Sequence, residues 1–228
     1  MYDGELTMNQ NDIIKKLPYF PFLSDSEKTI LVRSTTYRTY QKDEYIHGFS
    51  DACLGMVYVC KGSIRVYMTS EEGREITLFH IAEGDSCILS ASCVIGEISL
   101  EVQLTAEEDT ELIAVHAGYF QRLMEQNIHV RCFAAELSAK RLSTVVWVMQ
   151  QILFARFDER MARLLISVYE KTGEREIRMT QESMAREVNS AREVVARMLK
   201  TFVSEGWIEL KRGTVVLKDI EALQNLIK

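Results

Sequence analysis

The sequence predicts an α+β chain in three sections: an N-terminal antiparallel β-roll, a long helix, and a C-terminal pair of short helices closed by a β-hairpin. Three observations predict it. Between Thr35 and Val115, short apolar runs of period two are cut by glycine turns about every 11 residues. Between Ala135 and Ile152 the apolar period switches to alternating steps of three and four. Beyond Gln181, two short helical patterns precede two strand-like runs around Lys211-Arg212-Gly213. The sections are expected at 1–116, 117–155 and 156–228.

Composition bounds the reading. The chain has 228 residues, 47% apolar and 26% charged, with 2 Pro and 11 Gly, as ordinary globular proteins do. The longest uncharged run, Leu142 to Ala155, falls short of the roughly 18 residues a membrane span needs. Asp3 and Glu5 precede any apolar stretch, unlike the basic start of a signal peptide. Five cysteines without a CxxC spacing predict neither a disulfide framework nor a zinc site, so a reduced, cytoplasmic setting is expected. The net charge of −6 is uneven. Residues 1–155 carry 13 basic and 21 acidic side chains, net −8, whereas residues 156–228 carry 14 and 12, net +2. Only the C-terminal part suits a polyanion, and there the placement of the arginines decides.

The first section opens with short helical pieces. Asp12 to Lys16 is followed by Leu17 to Leu23, and Ser24 with Glu27 forms a capping box for a helix over Asp25 to Arg33. Met56 to Val59 reads as a strand. Ile64, Val66 and Met68 alternate with Arg65 and Tyr67, and Ile76, Leu78 and His80 alternate with Thr77 and Phe79. Glu111 to Val115 is a last short run. Turns are expected at Lys61-Gly62-Ser63, Glu71 to Arg74 and Glu83-Gly84-Asp85.

Residues 117–155 read as one long helix. Ala135, Ser138, Leu142, Val145, Met149 and Ile152 fall on one face as a coiled-coil seam of about two and a half heptads. A two-fold pair of such helices buries the seam most simply, so a homodimer is predicted. The competing reading buries the same stripe within one chain.

In the third section Arg160 to Tyr169 is amphipathic and ends towards Gly173. Helical patterns over Gln181 to Val188 and Ala191 to Glu205 flank Asn189-Ser190. Asn tolerates the left-handed backbone such a turn needs. Trp207 to Leu210 and Thr214 to Leu217 complete a winged helix-turn-helix. The second helix of that motif presents its first residues to base edges. Here these include Arg192, Glu193 and Arg197: an Arg fork matches guanine O6 and N7, and a carboxylate accepts from cytosine N4. Val194, Val195, Met198 and Phe202 form the inward face. Thr180, expected to cap the first helix, is assigned to the DNA backbone with Gln181, Ser190 and Lys200. Against this, Ser190 and Glu193 also match a capping box, which would occupy Glu193 without any base, and the arginines would then be solvated surface.

Val59-Cys60-Lys61-Gly62-Ser63-Ile64, Glu71 to Ile76 and Gly84-Asp85 resemble the effector roll of the CRP/FNR family of bacterial transcription regulators, and Met179 to Leu199 resembles that family's helix-turn-helix. The resemblance runs through the whole chain in order. It implies that Arg192, Glu193 and Arg197 stand at base-reading positions, agreeing with members that read a GTG-containing half-site. It also implies RNA polymerase as a partner. One departure matters: where members that bind cyclic AMP have an Arg-Ser or Arg-Thr pair, this chain has Leu100 and Glu101. A carboxylate repels a phosphate, so cyclic AMP is not expected to bind in the usual way. Gly96-Glu97 resembles the family's Gly-Glu pair at too short a spacing.

The segment Asp85 to Glu97 occupies the place of the family's phosphate cassette. Cys87, Ser90, Ser92, Cys93 and Glu97 are the candidate effector residues, for a small, partly apolar ligand. Cys87 and Cys93 have two other readings: buried small hydrophobes, which is the commoner fate of free Cys, and a redox pair. Haem is not expected, because His47, His80, His116 and His129 are scattered; nor is an iron–sulfur cluster, because the first cysteine is Cys53. No metal site and no catalytic constellation is found, so no enzyme is predicted. The function predicted is a dimeric, sequence-specific DNA-binding regulator controlled by an unidentified small molecule or redox signal. The second reading is a ligand-binding module whose C-terminal domain contacts proteins.

Overall fold

A computed structural model describes residues 10–47, 54–88 and 102–227. The chain divides into two compact units. One contains residues 1–73 and 78–145, the other residues 74–77 and 146–228.

In the first unit, α1 (Gln10–Ile14) and a 3-10 turn at Phe20–Phe22 lead to α2 (Asp25–Arg33). The Ser24 capping box is formed: its hydroxyl accepts from the Glu27 amide, and its own amide donates to the Glu27 carboxylate at 2.6 Å. Next come β1 (Thr35–Tyr40), β2 (Tyr45–His47), β3 (Met56–Lys61), β4 (Ser63–Thr69), β5 (Glu75–Ala82), β6 (Ser86–Cys87), β7 (Gln103–Ala106) and β8 (Thr110–Val115). They make two four-stranded sheets, ordered β1-β8-β3-β6 and β2-β7-β4-β5. The recorded pairings are antiparallel, with Thr35 opposite Val115 in one sheet and Ile64 opposite Ala106 in the other. Gly62 permits the sharp turn from β3 to β4. Its φ is +88°, and a Cβ there would stand 2.6 Å from Thr110 Oγ1.

The two-residue alternation holds only in part. Ile64, Val66 and Leu78 are buried as expected, but so are Arg65, Tyr67, Thr77 and Phe79 on the opposite face, while Met68 is exposed. The reason is cover from other side chains. The Arg65 guanidinium stacks 4.3 Å from the Tyr67 ring centre, and Arg141 lies 4.7 Å from that of Phe79.

The stretch 117–155 is two helices rather than one: α3 (Ala117–Gln126) and α4 (Ile128–Phe154). Asn127 separates them with an extended backbone, φ −123° and ψ 115°. Its Oδ1 accepts from the His129 amide and its Nδ2 donates to the Phe22 carbonyl, so its side chain competes with the helix for backbone partners. The main core gathers Ile13, Leu17, Leu31, Met56, Ile113 and Phe120 with the inner stripe of α4, Val130, Ala134 and Leu137.

The second unit holds α5 (Phe157–Thr172), β9 (Glu176–Ile177), α6 (Gln181–Glu187), α7 (Arg192–Ser204), β10 (Ile208–Lys211), β11 (Thr214–Leu217) and α8 (Ile220–Asn225). Gly173 ends α5 in the left-handed region, φ 72°. β10 and β11 form the expected hairpin, and β9 pairs on the far side of β11 to give the order β10-β11-β9. Met161, Leu165, Met184, Val195, Leu199 and Phe202 make the core. Among the described residues no helix is long and apolar enough to cross a membrane.

Candidate DNA-reading surface and effector slot

The reading surface is built by a hydrogen-bonded turn. Thr180 caps α6, its Oγ1 accepting from the Ser183 amide at 3.0 Å. After α6, Asn189 takes φ +51°, the left-handed conformation its residue type tolerates. The Ser190 amide donates to the Ala185 carbonyl at 2.9 Å, so the chain reverses within two residues and α7 starts with Ala191 as its N-cap. Ser190 and Glu193 therefore form no capping box, because the amide that box needs is already engaged. Val195, Leu199 and Phe202 point inward and are buried; Val194 and Met198 are only half-buried, so Leu199 carries part of the inward face expected of them.

Arg192, Glu193 and Arg197 are exposed on the first two turns of α7. Among the described residues their side chains have no hydrogen-bond or ion-pair partner. Lys200 and Thr180 are exposed, and Gln181 and Ser190 are half-exposed. Arg192, Glu193 and Arg197 thus lie together on one solvent face of α7. At the hairpin tip, Lys211 pairs with Glu176 at 3.1 Å, while Arg212 is exposed beside it. Arg212 was assigned no role by the sequence; its place between two strands, at a glycine turn, is the signal that marks a wing tip.

Helix α4 carries two apolar stripes. Val130, Ala134, Leu137 and Val148 are buried. The predicted seam lies one position round the helix: Ala135, Leu142 and Met149 are exposed, and Ser138, Val145 and Ile152 are half-buried. Leu142 is 61% and Met149 53% exposed, with Val146 and Leu153 beside them at 45% and 66%. The single chain does not bury this stripe.

Of the predicted effector residues, Cys87 is fully buried at the end of β6, with Ile88 next to it. Ser90, Ser92, Cys93 and Glu97 lie outside the described residues, as do Leu100 and Glu101. A side chain from elsewhere in the sequence reaches the start of this slot. Arg141, on the inner stripe of α4, is 3% exposed. Its Nη2 donates to the Ser86 carbonyl at 2.9 Å and stands 4.0 Å from the Asp85 carboxylate, while its Nε is buried without a partner. Lys140 lies 3.6 Å from the same carboxylate. The sequence has no charged residue between Asp85 and Glu97, and α4 brings a cation to the Asp85–Ser86 end of that segment. The available signal was position: an arginine in step with Val130, Ala134 and Leu137 sits on an apolar stripe.

The other thiols and histidines are dispersed. Cys60 is buried, and burial pushes its thiol up to about 11. His47 is in β2, His116 precedes α3, and His129 stacks on Phe22 with ring centres 4.1 Å apart. His80 in β5 pairs with Glu107 at 2.8 Å. Burial alone would raise the Glu107 carboxyl, but the His80 hydrogen bond and charge, with Ser63 and Arg65, bring it below its ordinary value.

Comparison with known proteins places this geometry. Residues 37–127 match the family described as the cyclic nucleotide-binding domain, and residues 159–226 match the Crp-like helix-turn-helix domain. A crp/fnr-family chain from Eubacterium rectale is 34% identical, with a TM-score of 0.86 over 93% of this chain and 99% of that one. The cyclic AMP receptor protein of Thermus thermophilus is 24% identical over 213 residues, 93% of this chain and 98% of its own. The c-di-GMP responsive global regulator CLP of Xanthomonas campestris shares the fold at 20% identity, with a TM-score of 0.70 over 85% of this chain and 99% of that one.

Proposed function

Since this chain belongs to the CRP/FNR family of DNA-binding transcription regulators, we propose that it acts as a homodimer on a palindromic operator with GTG-like half-sites, switched by a small effector in its roll. The observation that carries the reading is the bare cluster on α7. Two guanidiniums and a carboxylate stand exposed, with no partner among the described residues, on the helix that in this motif meets the major groove. Arg192 and Arg197 are assigned to guanine edges and Glu193 to a cytosine amino group. Thr180, Gln181, Ser190 and Lys200 are assigned to the phosphate backbone, which fixes register without reading sequence. The Thr180 hydroxyl keeps its proton for a phosphate oxygen, because the cap uses only a lone pair.

The dimer is supported by the second stripe of α4. Ala135, Ser138, Leu142, Val145, Met149 and Ile152 suit a two-fold helix pair, and their exposure in the single chain leaves apolar area that a second copy would remove from water. The switch we infer is a population shift between two arrangements of the paired helices, hinged where α4 ends at Phe154 and α5 begins at Phe157. RNA polymerase is the partner expected of such a regulator.

The effector is assigned to the slot of Cys87, Ser90, Ser92, Cys93 and Glu97, with Arg141 at its edge. The names of two relatives point to different nucleotides, cyclic AMP for the Thermus protein and c-di-GMP for the Xanthomonas one. Leu100 and Glu101 in place of the Arg-Ser/Thr pair argue against cyclic AMP in the usual pose.

Selection of duplexes from a random pool with the full chain tests the reading. The expected product is a palindrome whose half-site centres are about 34 Å apart, one turn of DNA. Native mass spectrometry of the double variant Leu142→Glu, Met149→Glu is expected to show a folded monomer. An unstructured pool would overturn the operator assignment, and a persisting dimer would remove the interface from α4.

A further inference from the structure

Helix α4 has two opposite faces, and its exposed one repeats more strictly than the seam read from the sequence. On the inner face Val130, Ala134, Leu137 and Arg141 are buried within the first compact unit. On the other face Ile128, Cys132, Ala135, Ala139 and Leu142 are all exposed, at successive steps of four, three, four and three. The spacing continues along the helix at Val146, Met149 and Leu153, which are exposed as well. Such steps are the d and a positions of a heptad, with Cys132 and Ala139 at a and Ile128, Ala135 and Leu142 at d. Ser138, which the sequence places in the seam, falls at the flanking g position. It is half-buried, and its hydroxyl donates to the Ala134 carbonyl of its own helix at 2.8 Å.

The flanks show which way a partner helix runs. In a parallel, in-register pair, a g residue meets the e residue five positions further on in the other chain. Here that g residue is Arg131 and the matching e residue is Glu136, and both are exposed. Arg131 is held in place at the start of α4. Its Nε donates to the Met124 carbonyl at 3.0 Å and its Nη2 to the Glu125 carbonyl at 2.9 Å. Those bonds use two of the five N–H groups of a guanidinium and leave its charge on the flank. Two-fold symmetry repeats the match, Arg131 of each copy against Glu136 of the other. An antiparallel pair sets g against g and e against e, and so gives neither charge an opposite one.

We propose that a second copy of this chain packs on the Ile128–Leu142 face of α4, parallel and in register, with Cys132 of one copy facing Cys132 of the other. This rests on the homodimer inferred above, and it fixes the face and the direction of the pair. The small side chains of Cys132, Ala135 and Ala139 let the helix axes approach to about 8 Å, the short end of the usual range. Cα atoms lie about 2.3 Å from each axis, so facing a positions stand roughly 4 to 6 Å apart, a spacing a disulfide bridges. Flanking g positions point away from the partner and stand beyond that reach.

The test oxidises the full chain with diamide, whose N=N bond takes up the two thiol hydrogens as the two sulfurs join. Non-reducing gels read the linked dimer, and native mass spectrometry of the untreated samples reads the non-covalent one. The wild type is expected to link and Cys132→Ser to lose the link. Ala139→Cys added to Cys132→Ser should regain it, one heptad further on. Ser138→Cys added to Cys132→Ser differs by one residue and should link roughly tenfold more slowly, because its thiols do not face each other. Paired thiols link at a rate that holds on dilution while the dimer persists, whereas chance collisions slow in proportion. A non-covalent dimer whose Cys132 links only by collision or not at all, or in which Ser138→Cys links faster than Ala139→Cys, overturns the proposal and leaves the homodimer standing. A wild type that is monomeric in native mass spectrometry overturns both.

Discussion

At the start of α7, Arg192 and Arg197 stand exposed with no partner among the described residues, whereas in α4 Arg141 is shut into protein against a carbonyl, a carboxylate and an aromatic ring. The same side chain serves opposite ends. A guanidinium left solvated adds almost nothing to folding and keeps its five donors for a ligand. A guanidinium that is buried has lost its water and must be repaid by what surrounds it, so the structure depends on it. Exposure leaves the donors of Arg192 and Arg197 available to a ligand, whereas burial commits those of Arg141 to the frame.

Replacing the exposed arginines should break binding and spare folding. Arg192→Ala and Arg197→Ala are each expected to lower affinity for the selected duplex by roughly 10- to 100-fold, the worth of one bidentate guanine contact. Urea unfolding should shift by no more than about 0.5 kcal/mol. Anisotropy titrations and denaturation curves of the same samples give both numbers; a variant that lost stability and kept affinity would reverse the contrast. Arg141→Ala should do the opposite. It removes the Ser86 hydrogen bond, the cover over Phe79 and a partner of Asp85, with an expected loss of about 3 kcal/mol. Arg141→Met keeps the stem packing and should recover part of that loss. A stability equal to the wild type in Arg141→Ala would show that those contacts only offset the cost of burying the guanidinium and that the fold does not depend on it.

The division between the two kinds of arginine was only half legible in the sequence. Local chemistry was readable, because it is settled within a few residues. The Ser24 box, the Thr180 cap, Gly173 at the end of α5 and the left-handed Asn189 are all formed as the residues predict. So was the hairpin of β10 and β11. Long-range partners were not. The break at Asn127 escaped because the apolar period runs on across it, while the bonds that stabilise it come from Phe22 and Glu27, about a hundred residues away. β9 has two residues and exists only by pairing with β11. α8 carries a local signal of its own: Asp219 caps it by accepting from the Ala222 amide at 2.9 Å. Arg141 was illegible for the same reason as Asn127, since the carbonyl it donates to lies 55 residues off.

A gentler contrast of the same kind separates two carboxylates. Glu193 is exposed with no partner among the described residues, whereas Glu107, about a third exposed, accepts from Ser63 at 2.8 Å and pairs with His80. The Glu107 carboxyl is held below its ordinary value by those partners, against the upward push of burial. A carboxyl depressed in the folded state stabilises the fold above its unfolded pKa. That contribution is lost as pH falls through the folded value, which lies below that of an ordinary glutamate. Glu107→Gln is therefore expected to be less stable than the wild type at neutral pH and to converge on it in acid. Glu193→Gln should leave stability at neutral pH unchanged, because its side chain has no hydrogen-bond or ion-pair partner among the described residues. Urea midpoints taken between pH 3 and 7 distinguish them. A wild-type acid limb retained in Glu107→Gln would place the proton uptake on another carboxylate and leave Glu107 a packing contact with a spectator charge.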